Sequence, residues 1–328
     1  MAGQIVAWTA ALAALLASAA AVGEDVPYPH KGPIEMTVLF PAGSSADVTA
    51  RLLAEGMSKQ LKANVVVVNR PGAGGAIGYR YVASQKADGY SIVWNSNSIS
   101  TTYYAGQLPF DYRAFEAVAR VLVESPVLAV RGDAPWKTLQ DFLRDARTRP
   151  GRFTVGNSGA GSHTHICSVA LFHAAGAQVI DVPFAAAQVV PSLLGGHVDA
   201  LLQLPASLAT YLGSGQVRAL AVLARERDPT LPGIPTAAEQ GVPAALEAWR
   251  GIAVPKGTPL PVAAALEQAV RATVDDPSFA AASEKLGVRP AFLGAAEFAQ
   301  LIAKEDGELS ELMRLIGLNK QTAAPAHP

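Results

Sequence analysis

Phe40-Pro-Ala-Gly-Ser-Ser-Ala-Asp47 and Gly156-Asn-Ser-Gly-Ala-Gly-Ser-His-Thr-His165 each separate an apolar, strand-like run from a helix-like run. A turn of small residues feeding a helix start exposes backbone N–H groups that have no acceptor within the helix. The helix dipole adds partial positive charge at the same point, so an anion can bind there without Lys or Arg. Two such turns on different lobes suit the two ends of a small carboxylate. A third small-residue turn, Asn69-Arg-Pro-Gly-Ala-Gly-Gly-Ala-Ile-Gly78, lies between them in the chain.

Outward from the first turn, Ile34 to Phe40 reads as a strand, and Val48 to Leu61 has helical spacing with Leu52, Leu53 and Met57 on one face. Asn64 to Val68 is a β-branched strand, Ile77 to Ser84 a helix, and Tyr90 to Trp94 a strand. From Pro126 the alternation restarts, with strands at 127–130, 153–156, 179–182, 198–202 and 219–223 and helices at 139–146, 165–175, 189–194 and 207–212. Helices at 261–274, 276–286 and 295–316 close the chain. This alternation indicates α/β layering with largely parallel pairing. The expected organisation is two lobes joined by two crossovers: 24–125 with 236–328 as lobe one, and 126–235 as lobe two. The C-terminal helices return to lobe one, and the ligand lies between the lobes at the carboxyl ends of the strands.

Composition narrows the function. The 328 residues are 50% hydrophobic and 16% charged, with 26 basic and 27 acidic side chains, which offers no basic stripe for nucleic acid. Ile5 to Val22 is an almost continuous Ala/Leu run ending in small residues, as in a secretory leader, although no Lys or Arg precedes Lys31. Residues 1–23 are therefore expected to be a signal peptide cleaved after Ala19, Ala21 or Gly23, which places the protein in the periplasm; an uncleaved anchor is the competing reading. Cys167 is the only cysteine and reads as a small buried hydrophobe. The tail Gln321 to Pro328 reads as disordered.

Three other chemistries fit less well. Gly72 and Gly74 put Ile77 at the third glycine place of a dinucleotide fingerprint. Ser158 resembles a hydrolase nucleophile, but Ala160 occupies the last glycine position of the elbow and no later His has a recognisable partner context. His163, His165, Cys167 and His173 suggest metal, yet lack a consistent face and a fourth ligand. Asp47 is either a ligand-fixing carboxylate or a helix cap. Arg250 reads as either a cleft cation or a surface group.

An ordered set of short matches runs through nearly the whole mature chain: Tyr28-Pro29, Pro33-Ile34, Phe40-Pro-Ala-Gly43 with Asp47 and Arg51, Asn69-Arg-Pro-Gly-Ala-Gly-Gly75, Asp88-Gly89-Tyr90 and Leu108-Pro-Phe-Asp111. It continues through Ser158-Gly-Ala-Gly-Ser162 with His165, Val182-Pro183, Gly195-Gly196, Val198-Asp199, Leu231-Pro, Pro235-Thr236, Glu239-Gln-Gly241, Trp249, Gly251, Pro255-Lys-Gly-Thr-Pro259 and Asp276-Pro277. Together they resemble the substrate-binding proteins of tripartite tricarboxylate transporters, the Bug family of periplasmic solute receptors.

The resemblance implies a two-lobed periplasmic-binding-protein fold of the Venus-flytrap, type II-like kind. It implies a monomeric, non-enzymatic receptor without cofactor or metal, which captures a small organic acid and presents it to a membrane permease. Carried over, it nominates Phe40, Ala42, Gly43, Ser44, Ser45 and Asp47 on lobe one, with Ser96, Asn97 and Ser98 in a further loop. On lobe two it nominates Ser158, Gly159, Ala160, Gly161 and Ser162. The chain departs from the family at Ser44, at Val68 and at Phe184-Ala-Ala-Ala187, where a Tyr-(Lys/Arg)-Gly pattern is usual. Phe184 makes the wall more apolar, favouring an aromatic or less polar acid; Asp199 and Gln203 complete the expected site, Gln203 reading a distal group. Two competitors remain: a ligand-loaded receptor reporting to a membrane sensor, and a serine hydrolase using Ser158.

Overall fold

The computed structural model describes residues 28–321. The expected leader and all but the first residue of the expected disordered tail lie outside them. Two sheets form the frame. The first has six strands in the order β11 (Arg289–Gly294), β4 (Phe115–Glu124), β10 (Ala248–Pro255), β3 (Ser91–Ser96), β1 (Ile34–Val38) and β2 (Val65–Asn69). The second has five, in the order β7 (Ile180–Pro183), β6 (Thr154–Asn157), β8 (Ala200–Gln203), β5 (Val127–Arg131) and β9 (Val217–Val222). Helices α1 (Ser45–Leu61) and α2 (Ala76–Ala83) connect β1, β2 and β3 in parallel, as the alternation in the sequence predicts. In the second sheet, α5 (His163–Ala174) and α6 (Val189–Leu194) do the same for β6, β7 and β8.

The pairing is not largely parallel. β10 and β11 in the first sheet, and β5 with both its neighbours in the second, pair antiparallel. The cause is the crossovers: β4 passes directly into β5 through Ser125 and Pro126, so each sheet takes a strand that entered from the other lobe. β4, β10 and β11 have no counterpart in the sequence reading. Nor does α3 (Ser98–Tyr104), whose Ser-Thr-Tyr composition is weakly helical.

The second lobe boundary also moves. Ala237, Val242 and Ala244 are buried in the core of the second sheet, and Leu246 N donates to Leu223 O at 3.0 Å. Gln240 Nε2 reaches Leu220 O at 2.8 Å. Residues 236–246 therefore pack on lobe two, and the chain returns to lobe one at β10. The helices α8 (Leu260–Val274), α9 (Pro277–Lys285) and α10 (Ala295–Leu315) then cover the first sheet.

The lobes are closed upon one another. Ala186 and Ala206 of lobe two are buried within the lobe-one core. Gln107 Nε2 donates to Ala160 O at 3.1 Å across the cleft. Gly74, at φ +64°, lies so close to the opposite turn that a Cβ there would stand 2.9 Å from Ala160 O. Gly74 of the 69–78 turn thus serves the close approach of two backbones across the cleft. Among the described residues, no helix is long and apolar enough to cross a membrane.

Candidate functional site

Two helix N-termini converge on one cavity between the lobes. α1 is capped by Ser44 (φ −74°, ψ 160°), whose Oγ accepts from Asp47 N at 3.3 Å. α5 is capped by Ser162 (φ −69°, ψ 159°), whose Oγ accepts from His165 N at 3.3 Å. In both, the extended cap satisfies the third helical amide and leaves the first two with no carbonyl to reach. Those amides belong to Ser45 and Ala46 on lobe one and to His163 and Thr164 on lobe two. All four residues line one cavity, whose free volume in this closed arrangement is ≈ 20 Å³. Two positive helix ends opening on one space present backbone donors suited to an anion.

These donors lie further into the helices than the sequence reading placed them. Gly43 N donates to Asp47 Oδ2 at 3.0 Å, and Ser44 N to Pro41 O at 3.2 Å. In the other turn, Ser158 N goes to Thr164 Oγ1 at 3.0 Å, Gly159 N to Asn157 Oδ1 at 3.2 Å and Gly161 N to His165 Nδ1 at 3.2 Å. Ser162 N is held by Gly159 O at 3.1 Å. Ala42, Gly43, Gly159, Ala160 and Gly161 therefore shape the turns and do not line the cavity. Asp47 is a positioning group. Its carboxylate also accepts from Arg51 Nε at 3.0 Å and Asn69 Nδ2 at 2.9 Å. Burial pushes its pKa up, but Arg51, the Gly43 amide and Asn69 outweigh that and leave it below the ordinary value.

Of the other nominated residues, Phe40, Ser44, Ser45, Ser96, Ser98, Ser158, Ser162 and Gln203 do line the cavity. Ser158 Oγ and Gln203 pair at 2.9 Å, one hydroxyl and one amide presented together. Phe184 does not: its ring lies near Gly156, and the cavity wall is Ala186. Asp199 bonds Thr154 N at 2.8 Å and Thr154 Oγ1 at 2.9 Å, joining β6 to the start of β8 away from the site. Asn97 faces a second interlobe cleft, where it accepts from Trp249 N at 2.8 Å and donates to Glu305 at 2.7 Å.

Arg250 settles as a cleft residue. It is 3% exposed and lines the cavity, with Nε donating to Glu124 Oε2 at 3.1 Å. Glu124 is fully buried and also accepts from Ser45 Oγ. β10 carries Arg250 and β4 ends at Glu124, so two adjacent antiparallel strands bring the pair together.

The sequence reading does not nominate the lining residues His163, Thr164 and Ala46 for the ligand, whereas it leaves Arg250 open as a cleft cation. The Ser162 and Ser44 caps are the signal for the three, since each marks where the next two amides fall. His163 is 5% exposed, and its Nε2 sits 3.1 Å from Leu246 O. Desolvation, with a smaller push from the Arg250 charge, lowers its pKa to about 4. A histidine held neutral in the fold but free to protonate when unfolded makes stability rise with pH. Its contribution is complete above about pH 6.5 and is lost as pH falls toward 4, on the order of 3 kcal/mol in all. Glu305, raised by burial to about 6, acts in the opposite sense between its ordinary pKa and 6. Comparing wild type with His163→Phe in denaturant titrations isolates the histidine: wild type should lose more stability than the variant between pH 6.5 and 4.5.

Among the described residues, no base attends Ser158. His163 bonds Leu246 O and His165 accepts from the Gly161 amide, while Ser158 Oγ is occupied with Gln203. Cys167 is buried with Sγ 3.7 Å from Leu246 O, and burial pushes its thiol pKa up, which suits a packing role.

Residues 49–318 match the family described as tripartite tricarboxylate transporter family receptor. The periplasmic binding protein BugD has the same fold at TM-score 0.84, with 31% identity over 89% of this chain and 99% of BugD. Rpa4515 of R. palustris, solved with adipate, matches at TM-score 0.85 and 26% identity over 89% of this chain and 99% of its own. MatC of Rhodopseudomonas palustris, solved with bound malate, matches at TM-score 0.79 and 26% identity over 86% and 99%. These are solute-binding receptors rather than enzymes, in agreement with the unattended Ser158. With two α/β lobes closed on a cavity capped by two helix ends, and a family match covering most of its length, this chain belongs to the tripartite tricarboxylate transporter receptors of the Bug family.

Proposed function

We propose that the protein is an exported receptor that closes around a small mono- or dicarboxylate and delivers it to the membrane subunits of a tripartite tricarboxylate-type transporter. The observation that carries this reading is the pairing of first-turn amides, Ser45 and Ala46 against His163 and Thr164, around one small cavity. A carboxylate there accepts from both lobes and so favours the closed form over the open one. The Arg250 Nε goes to Glu124, which leaves the two terminal nitrogens of its guanidinium for a ligand oxygen. The Ser158–Gln203 pair suits a distal polar group. The leader-like run before residue 24 and the family's periplasmic members support export as the route to that transporter.

A thermal-shift screen of C2 to C6 organic acids tests this reading. Binding to the folded state alone raises stability by RT ln(1 + [L]/Kd), about 2.7 kcal/mol at a hundredfold excess over Kd. At least one acid should raise the melting temperature with increasing concentration. Folded protein that responds to none of them contradicts the proposal.

A further inference from the structure

The imidazole of His163 carries a buried hydrogen-bonding atom with no partner. The ring stands between the interlobe cavity and the second interlobe cleft, lining both, and is 95% buried. Its Nε2 faces the carbonyl of Leu246, which can only accept, so Nε2 bears the proton. Nδ1 is then a lone-pair acceptor, and no donor among the described residues reaches it. Leaving a buried acceptor unmet costs about 1–3 kcal/mol. The two helix ends that receive a carboxylate flank this same ring, since His163 supplies one of the four amides.

Resting on the carboxylate reading above, we infer that the ligand carries a hydroxyl close to its carboxylate and donates it to His163 Nδ1, so that the receptor selects hydroxy acids over their deoxy counterparts. A carboxylate alone has only acceptors and leaves Nδ1 unmet. An ammonium would also donate, but Arg250 and two positive helix ends share the cavity and oppose a cation. A hydroxyl supplies the donor without the charge. Discrimination of this kind is strong because the penalty falls on the analogue that lacks the group. Malate, bound in MatC, has such a hydroxyl, and adipate, bound in Rpa4515, does not.

Matched acids test this by calorimetry on the purified wild-type protein: glycolate against acetate, lactate against propionate and alanine, malate against succinate and aspartate. The best-bound skeleton should favour the hydroxy form roughly tenfold to hundredfold over the deoxy form, with the amino form weaker still. In His163→Phe, confirmed as folded, the hydroxy preference should collapse toward unity. In wild type labelled with nitrogen-15 at histidine, the hydroxy acid should shift the His163 Nδ1 resonance and the deoxy acid should leave it nearly in place. Acids that bind with no regard to the hydroxyl, a preference that survives in His163→Phe, an unmoved Nδ1 resonance or a preference for the amino acid would each overturn the inference while leaving the carboxylate reading intact. Failure of every acid in all three forms would overturn both.

Discussion

Arg250→Ala is expected to lower the free energy of unfolding by about 3–5 kcal/mol, the scale seen when one member of a buried ion pair is removed. The cause is Glu124. It is fully buried and holds Arg250 Nε at 3.1 Å, so the variant strands a carboxylate with only the Ser45 hydroxyl beside it. Urea titration measures the loss, and isothermal titration should show no acid binding at concentrations that saturate wild type. Replacing both partners, Glu124→Leu with Arg250→Met, should recover most of the stability, because two apolar side chains of similar size need no partner. It should not recover binding. A loss below about 1 kcal/mol in the single variant would mean that the pair is not held in this arrangement.

Gly74→Ala is expected to weaken acid binding by roughly tenfold to hundredfold, the equivalent of an overpacking cost of 1–3 kcal/mol. The new Cβ would stand 2.9 Å from Ala160 O and 3.0 Å from Thr102 Cγ2, at a backbone angle of φ +64°. The clash with Ala160 exists only when the lobes meet. It therefore raises the energy of the closed state, and the apparent affinity falls with the population of that state. The open state feels mainly the left-handed backbone and the Thr102 contact within lobe one. The unliganded variant should accordingly lose about 1–2 kcal/mol of stability to the left-handed backbone, and the clash with Ala160 should appear as a separate loss of calorimetric affinity. Unchanged affinity would show that binding does not require this contact.

What the sequence reveals is local, and what it hides is tertiary. Ser44 and Ser162 read as ligand residues because they sit in small-residue turns before helical runs, and those runs read as starting at Val48 and His165, three and two residues late. Gly43, Gly159 and Gly161 look like donors for the same reason. Their amides are instead captured by Asp47, Asn157 and His165, and only folded geometry shows which side chain folds back. Arg250 is ambiguous because charged residues are seldom buried without a partner, and its partner lies 126 positions earlier. β10 is hidden because a central strand buried on both faces shows no alternation, and Trp249-Arg-Gly251 interrupts its apolar run. Residues 236–246 carry too little regular structure for periodicity to assign them, and their lobe is decided by contacts with β9.

A crystal structure of the protein with its best-bound acid shows whether one ligand joins both helix ends. Carboxylate oxygens are expected within about 3 Å of a Ser45 or Ala46 amide and of a His163 or Thr164 amide. A carboxylate bound by Arg250 with neither helix end, or an acid seated outside this cavity, would contradict this.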